Sequence, residues 1–208
     1  MSEAQRPAEP MRVGELLILA ALWMLFGFMI WYYLSVFHGV PVRLVAERAL
    51  AAVLGDDFYN IIPNPDRRFL LQVQTRIDYT FPDGSTGPLG FIVNPLIYGY
   101  GLPLLFGLIM ATNQPLLRKL LVLAGGYLVI AAVQVWGVFW ESLKMLVFNF
   151  GGPARDVVLE AGVPENLVAL CYQLGVLILP ALAPVVVWMI GAWSEIEPWA
   201  ATWTHRDG

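Results

Sequence analysis

Uncharged apolar residues fall along the chain in four long runs, and the segments between them follow different rhythms. From Leu16 to Phe37 there is no charged residue, and Trp31, Tyr32 and Tyr33 gather toward the end of the run. About 20 such residues cross a hydrocarbon core of about 30 Å, and Trp and Tyr favour its boundary with water. A first transmembrane helix is therefore expected over residues 13–37. It is longer than the apolar stretch of a cleaved signal peptide, so it reads as a retained span. The polar residues 1–12, with Pro7 and Pro10, read as a disordered cytoplasmic tail.

Residues 41–54 are amphipathic: Val42, Val45, Ala49 and Val53 share a helical face, and Arg43 stands four before Glu47. Such a segment either lies on the membrane surface or prolongs the first span. Asp56 to Arg68 is dense in Asn, Asp and Pro and reads as a loop. The period then changes to two. Phe69, Leu71, Val73, Ile77, Tyr79 and Phe81 alternate with Gln72, Gln74, Arg76, Asp78 and Thr80, which predicts a half-buried strand. Pro82 to Pro88 is a turn and Leu89 to Val93 a return strand, giving a β-hairpin over residues 69–93. A lone hairpin is marginal in water. Its apolar face needs cover from the amphipathic segment, the membrane surface or a partner.

A second span is expected over residues 94–112 and a third over 120–148, joined by the short segment 113–119 with Arg118 and Lys119. Residues 149–166 read as a Gly/Pro-punctuated loop, and residues 167–193 as a fourth span kinked or broken by Pro180 and Pro184. Residues 194–208 form a polar tail with Trp199 and Trp203, close to Trp193. The expected fold is a mainly α membrane protein: four transmembrane helices with a small extracytoplasmic β-hairpin in the segment 38–93 between the first and second. Short loops with Lys and Arg stay in the cytoplasm, whereas long loops translocate largely regardless of charge. That rule puts residues 113–119 and both termini in the cytoplasm.

Composition agrees: hydrophobic residues make up 58% and charged residues 13%, about half the share usual in soluble domains. Basic residues are few and scattered, which argues against nucleic acid as a partner. The single cysteine, Cys171, excludes an internal disulfide and multi-cysteine metal sites. No metal-ligand spacing, phosphate loop or Ser/His/Asp set is visible, so no metal or cofactor is expected.

Three groups of residues carry candidate chemistry. In the second run, Pro95 and Pro103 bracket Tyr98-Gly99-Tyr100-Gly101. Asn94 is placed to cap the first turn, Pro95 suits its start, and the glycines let a helix or ligand approach the backbone. The run reads either as a Pro-softened helix with belt tyrosines or as a recognition surface at the outer membrane boundary. On the third run, Gln134 and Glu141 are seven apart on one face, with Lys144 three further on. These are either interface anchors or a polar patch that fixes a partner helix or substrate tail. Third, Cys171 would need a base or a positive field to act as a nucleophile, for which His38 and Arg155 are the candidates. A small packing residue is the plainer reading of Cys171.

The segment Asn94-Pro95-Leu96-Ile97-Tyr98-Gly99-Tyr100-Gly101-Leu102-Pro103 resembles the hallmark of the exosortase H-associated membrane proteins. The aromatic-rich first span, the alternating strand, and Gln134-Val135-Trp136-Gly137-Val138 followed by Lys144 are similar as well, so the resemblance covers most of the chain. It implies the inner membrane of Gram-negative bacteria and the company of an exosortase. That enzyme is a multi-span, transpeptidase-like protein acting on secreted proteins that carry a C-terminal tag, a membrane helix and a basic end. Exosortases themselves use a Cys/Arg/His set, and the residues around Cys171, Arg155 and His38 do not match its motifs. The expectation is a non-catalytic accessory that holds the exosortase or its tagged substrate through Asn94, Pro95, Tyr98, Gly99, Tyr100 and Gly101, with Gln134, Glu141 and Lys144 as polar fixing points. Two alternatives stand beside it: a small transporter or channel subunit, and an intramembrane thiol enzyme using Cys171.

Overall fold

A computed structural model describes residues 13–194 and Glu197. The expected tails at 1–12 and beyond Ser194, with Trp199 and Trp203, lie outside the described residues apart from Glu197.

The first helix, α1, runs unbroken from Val13 to Leu54, so the amphipathic segment prolongs the span. Its lower part shows apolar side chains on nearly every side, as a lipid-facing helix does. Above His38 one face is buried by Val42, Ala46, Leu50 and Leu54, spaced four apart. The seam is thus rotated from the expected one. Val42 is on it, but Val45 is 50% exposed. Pro41 lies inside the helix. It cannot bond to the Phe37 carbonyl, a loss that headgroup water can make good at this depth. Arg43 and Glu47 pair at 3.2 Å, as their spacing predicts.

After α1, β1 (Phe58–Pro63), β2 (Leu71–Thr80) and β3 (Thr86–Val93) form an antiparallel sheet in the order β1-β2-β3. The expected hairpin is present as β2 and β3, but it gains a third strand from the segment read as a loop. The sequence Phe-Tyr-Asn-Ile-Ile-Pro is short and lacks strict alternation, which hid β1. Irregular register in both strand pairs converges on Thr75. Its buried Oγ1 donates to the Leu89 carbonyl at 2.8 Å. The inner face of the sheet is covered from within the chain. Leu71, Val73, Ile77, Leu89 and Phe91 share one core with the upper α1 face and, from later in the chain, Val138, Leu143, Leu146, Ala154 and Val158.

The second apolar run forms two pieces, α2 (Leu96–Gly99) and α3 (Gly101–Ala111), meeting at Tyr100. Among the described residues, three helical stretches are long and apolar enough to cross a membrane: Val13–Asp57, Leu116–Phe150 and Glu165–Gly191. Leu96–Ala111 falls among the shorter apolar helices, spanning about 24 Å at 1.5 Å per residue. This differs from the expected set of four full spans. The cause lies in the sequence, because Gly99, Gly101 and Pro103 shorten and bend what Leu and Ile would have kept straight.

Helix α4 runs Leu116–Lys144 and continues as a wide π turn over Met145–Phe150. The expected loop at 149–166 instead contains α5 (Gly152–Glu160), with Pro153 in its first turn. Phe150 packs against Tyr79 and Phe91 and so ties this corner to the sheet. The last run is α6 (Glu165–Gln173), a π turn at Leu174–Ile178 and α7 (Leu179–Gly191). Pro180 stands in the first turn of α7, just past the irregular stretch, and Pro184 lies inside α7; a kinked or broken helix was expected at these two prolines.

Candidate functional site

The sequence candidates on α2 and α4 face each other. Asn94 accepts a hydrogen bond from the Leu96 N–H at 3.1 Å through its side-chain oxygen, and so turns the chain out of β3 into α2. Buried Pro95 offers its carbonyl to Gln134 Nε2 at 3.0 Å. A carbonyl only accepts, which fixes the Gln134 amide with its oxygen pointing away. That oxygen meets His38 Nε2, which therefore carries a proton. In a neutral imidazole, Nδ1 then accepts from the Tyr127 hydroxyl at 3.3 Å. A chain of bonds thus runs Tyr127, His38, Gln134, Pro95, linking α4, α1, α4 and the residue that opens into α2.

About two turns along α4 from Gln134, the Tyr98 hydroxyl donates to Glu141 Oε2 at 3.0 Å. Lys144 lies over the Tyr172 ring, 5.4 Å from its centre. Tyr127, Gln134 and Glu141 are spaced by seven, so a single face of α4 carries the whole polar line. Tyr98 is fully buried. Its ring lies against Gly137, where any Cβ would collide with ring atoms. Likewise a Cβ on Gly99 would strike the Gln134 amide, and one on Gly101 would stand 2.8 Å from the Pro180 carbonyl oxygen. These glycines permit close approach, as expected, but the neighbours are this chain's own α4 and α7. Of the run's aromatic pair, only Tyr100 keeps an exposed side chain, at 38%.

The thiol candidates each have partners of their own. Cys171 is buried, and its carbonyl accepts from Trp136 Nε1 at 3.0 Å. His38 is engaged with Gln134 and Tyr127, and Arg155 Nε bonds Glu165 Oε1 at 2.7 Å. Among the described residues no group of three His, Cys, Asp or Glu is placed to hold a metal ion.

Sequence reasoning picked the two sides of this site but not their pairing, and it missed Tyr127. The heptad spacing from Tyr127 through Gln134 to Glu141 was the signal that would have found it. The Asn94–Pro103 segment, its Gln134 and Glu141 partners and Gly137 beneath Tyr98 together form one interlocked unit. The description "exosortase H-associated membrane protein" matches the chain over residues 10–194. The chain belongs to that family. No curated protein and no solved structure matches it. In this exosortase H-associated protein, the described part of the match takes in every helix and strand named above. The family description makes it a membrane protein associated with an exosortase system.

Proposed function

We propose that the protein is a non-catalytic accessory of an exosortase-type sorting system in the bacterial inner membrane, where it holds the exosortase or its tagged substrate at the outer membrane boundary. The observation that carries this reading is the position of β3. Among the described residues it pairs with β2 on one side only, and Val93 leads through Asn94 straight into α2, the start of the second apolar run. An extended segment arriving from a membrane helix can add to such an edge through main-chain bonds. The polar line on α4 serves the edge indirectly: it fixes Pro95 and Tyr98, and with them the height at which β3 meets the bilayer. Partner contact then falls on exposed groups, namely Ile92 (51% exposed) and Tyr100, and the buried glycines act as internal packing.

In this reading the α2–α3 segment completes a fourth crossing, so both termini are cytoplasmic and the sheet faces outward. The test is co-purification in gentle detergent from native cells. Ile92→Lys places a charge on the open edge strand, a device that blocks strand addition. Recovery of the exosortase or of tagged proteins should fall roughly tenfold, the effect of losing one strong interface contact. The protein's own level and melting temperature should hold. Undiminished recovery with both Ile92→Lys and Tyr100→Ala overturns the proposal.

A further inference from the structure

The loop between β1 and β2 is built like a fixed mount. Asn64 is buried, and its side-chain oxygen accepts from the Asp66 and Arg67 amides, both at 3.0 Å. Its own N–H donates to the Leu70 carbonyl at 2.9 Å, and the Leu70 N–H to the Arg67 carbonyl at 2.8 Å. The turn therefore has one shape, and it presents Arg67 and Arg68 outward, both exposed. Among the described residues, neither guanidinium has a hydrogen-bond or ion-pair partner.

The depth of this mount is set by Phe69. Its ring packs against Tyr32 with centroids 6.5 Å apart. Tyr32 lies in the last turns of the uncharged run Leu16–Phe37, so the two arginines emerge where hydrocarbon gives way to headgroups. Arg68 and Phe69 line a crevice of about 60 Å³ with Ser35, Gly39, Arg43 and Pro95. That is room for a few waters or a small polar group, and too little for an acyl chain. Tyr33 and Phe37 lie on one face of α1, 76% and 75% exposed, and the Tyr33 ring meets Tyr32 edge-on with centroids 6.2 Å apart. Arg43 is already engaged by Glu47 and the Ile61 carbonyl, and Asp66 is the acidic residue of the loop itself. Three arginines face two carboxylates, and the two free guanidiniums are those at the boundary.

We infer that the Asn64–Leu70 loop is a binding site for the phosphate of an anionic phospholipid, with Arg67 and Arg68 as donors and Tyr33 and Phe37 against the acyl chains. Guanidinium matches phosphate oxygens in pairs and sheds its water more readily than ammonium does. A soluble phosphate would find the same donors, but the flanking apolar rings and the depth set by Phe69 select a ligand that carries its own hydrocarbon. The site is independent of the exosortase reading and needs only that α1 spans the bilayer.

The full chain in phosphatidylcholine nanodiscs provides the test, by following its melting temperature as short-chain phosphatidylglycerol, short-chain phosphatidylcholine or inorganic phosphate is added. Phosphatidylglycerol should raise the melting temperature, and the other two should not. The apparent affinity should fall about fivefold for each arginine changed to glutamine, the effect of about one unit charge near a membrane surface. Asn64→Ala, which keeps both arginines but loosens the turn, should weaken binding too. An equal response to phosphatidylcholine, an equal response to inorganic phosphate, or an Arg67→Gln/Arg68→Gln variant that keeps the full shift would each overturn the assignment. Melting temperatures in lipid without additive show whether each variant is folded.

Discussion

At the scale of single residues, the polar line works because every member has a stated partner in a place where an unpaired group is expensive. Tyr98→Phe keeps the ring over Gly137 but leaves the Glu141 carboxyl without its donor. Glu141 is half-buried, so orphaning it costs at most the about 1–3 kcal/mol of a fully buried acceptor; the variant should melt earlier in detergent, and an unchanged melting temperature would show that the bond does not support the fold. Outside the membrane, Asp83 accepts from the Ser85 amide at 3.0 Å and the Ser85 hydroxyl at 2.7 Å. These bonds hold its carboxyl below the ordinary aspartate value. The sign follows from linkage: the turn's stabilisation is complete above the unfolded pKa and disappears as pH falls through the lower folded one. Protection of the Ser85 amide, its exchange measured against the intrinsic rate at the same pH, should therefore fall in acid, and Asp83→Asn should remove that pH dependence. The residue scale was partly legible. The Asn94 turn and the Arg43–Glu47 pair follow from spacing alone. The bonds from Tyr98 to Glu141 and from Pro95 to Gln134 join residues about forty apart, and no local pattern encodes which distant groups will meet.

Among the elements, legibility depended on period. β2 was plain because ten residues alternate, and the lower part of α1 because it is apolar throughout. β1 was hidden by its short, irregular pattern, and α5 by Gly151, Gly152 and Pro153, which read as loop punctuation although proline also opens helices. The upper α1 seam was misplaced by a rotation because Val45 and Ala49 are as apolar as the true core positions. The α2–α3 pair is the element on which topology turns. If it completes a crossing, cysteines introduced at Ser85 and Asn113 should label from opposite sides of the membrane with a membrane-impermeant maleimide. Labelling of both from the same side would make the pair re-entrant and place the two ends of the chain on opposite sides.

For the whole molecule, the sheet does not form a separate domain. Upper α1, the sheet, the end of α4 and α5 share one apolar core, so the outer part and the membrane part lean on the same side chains. Leu50, fully buried in that core, tests this. Leu50→Ala should cost about 2–5 kcal/mol through the cavity it leaves. The loss should appear in both the near-ultraviolet signal of the aromatic membrane helices and the protease resistance of the sheet. Loss of protection in the sheet alone would mean that the two parts unfold independently.

The unbroken α1 also makes the molecule a lever. About 25 Å of that helix stands beyond the apolar run, and the sheet is fastened along it. Transmembrane helices tilt to fit the thickness of their bilayer. A tilt of about ten degrees swings the upper end of such a rod by roughly 4 Å, close to the distance between neighbouring strands. Bilayer thickness thus becomes a setting for where the open edge of β3 is held.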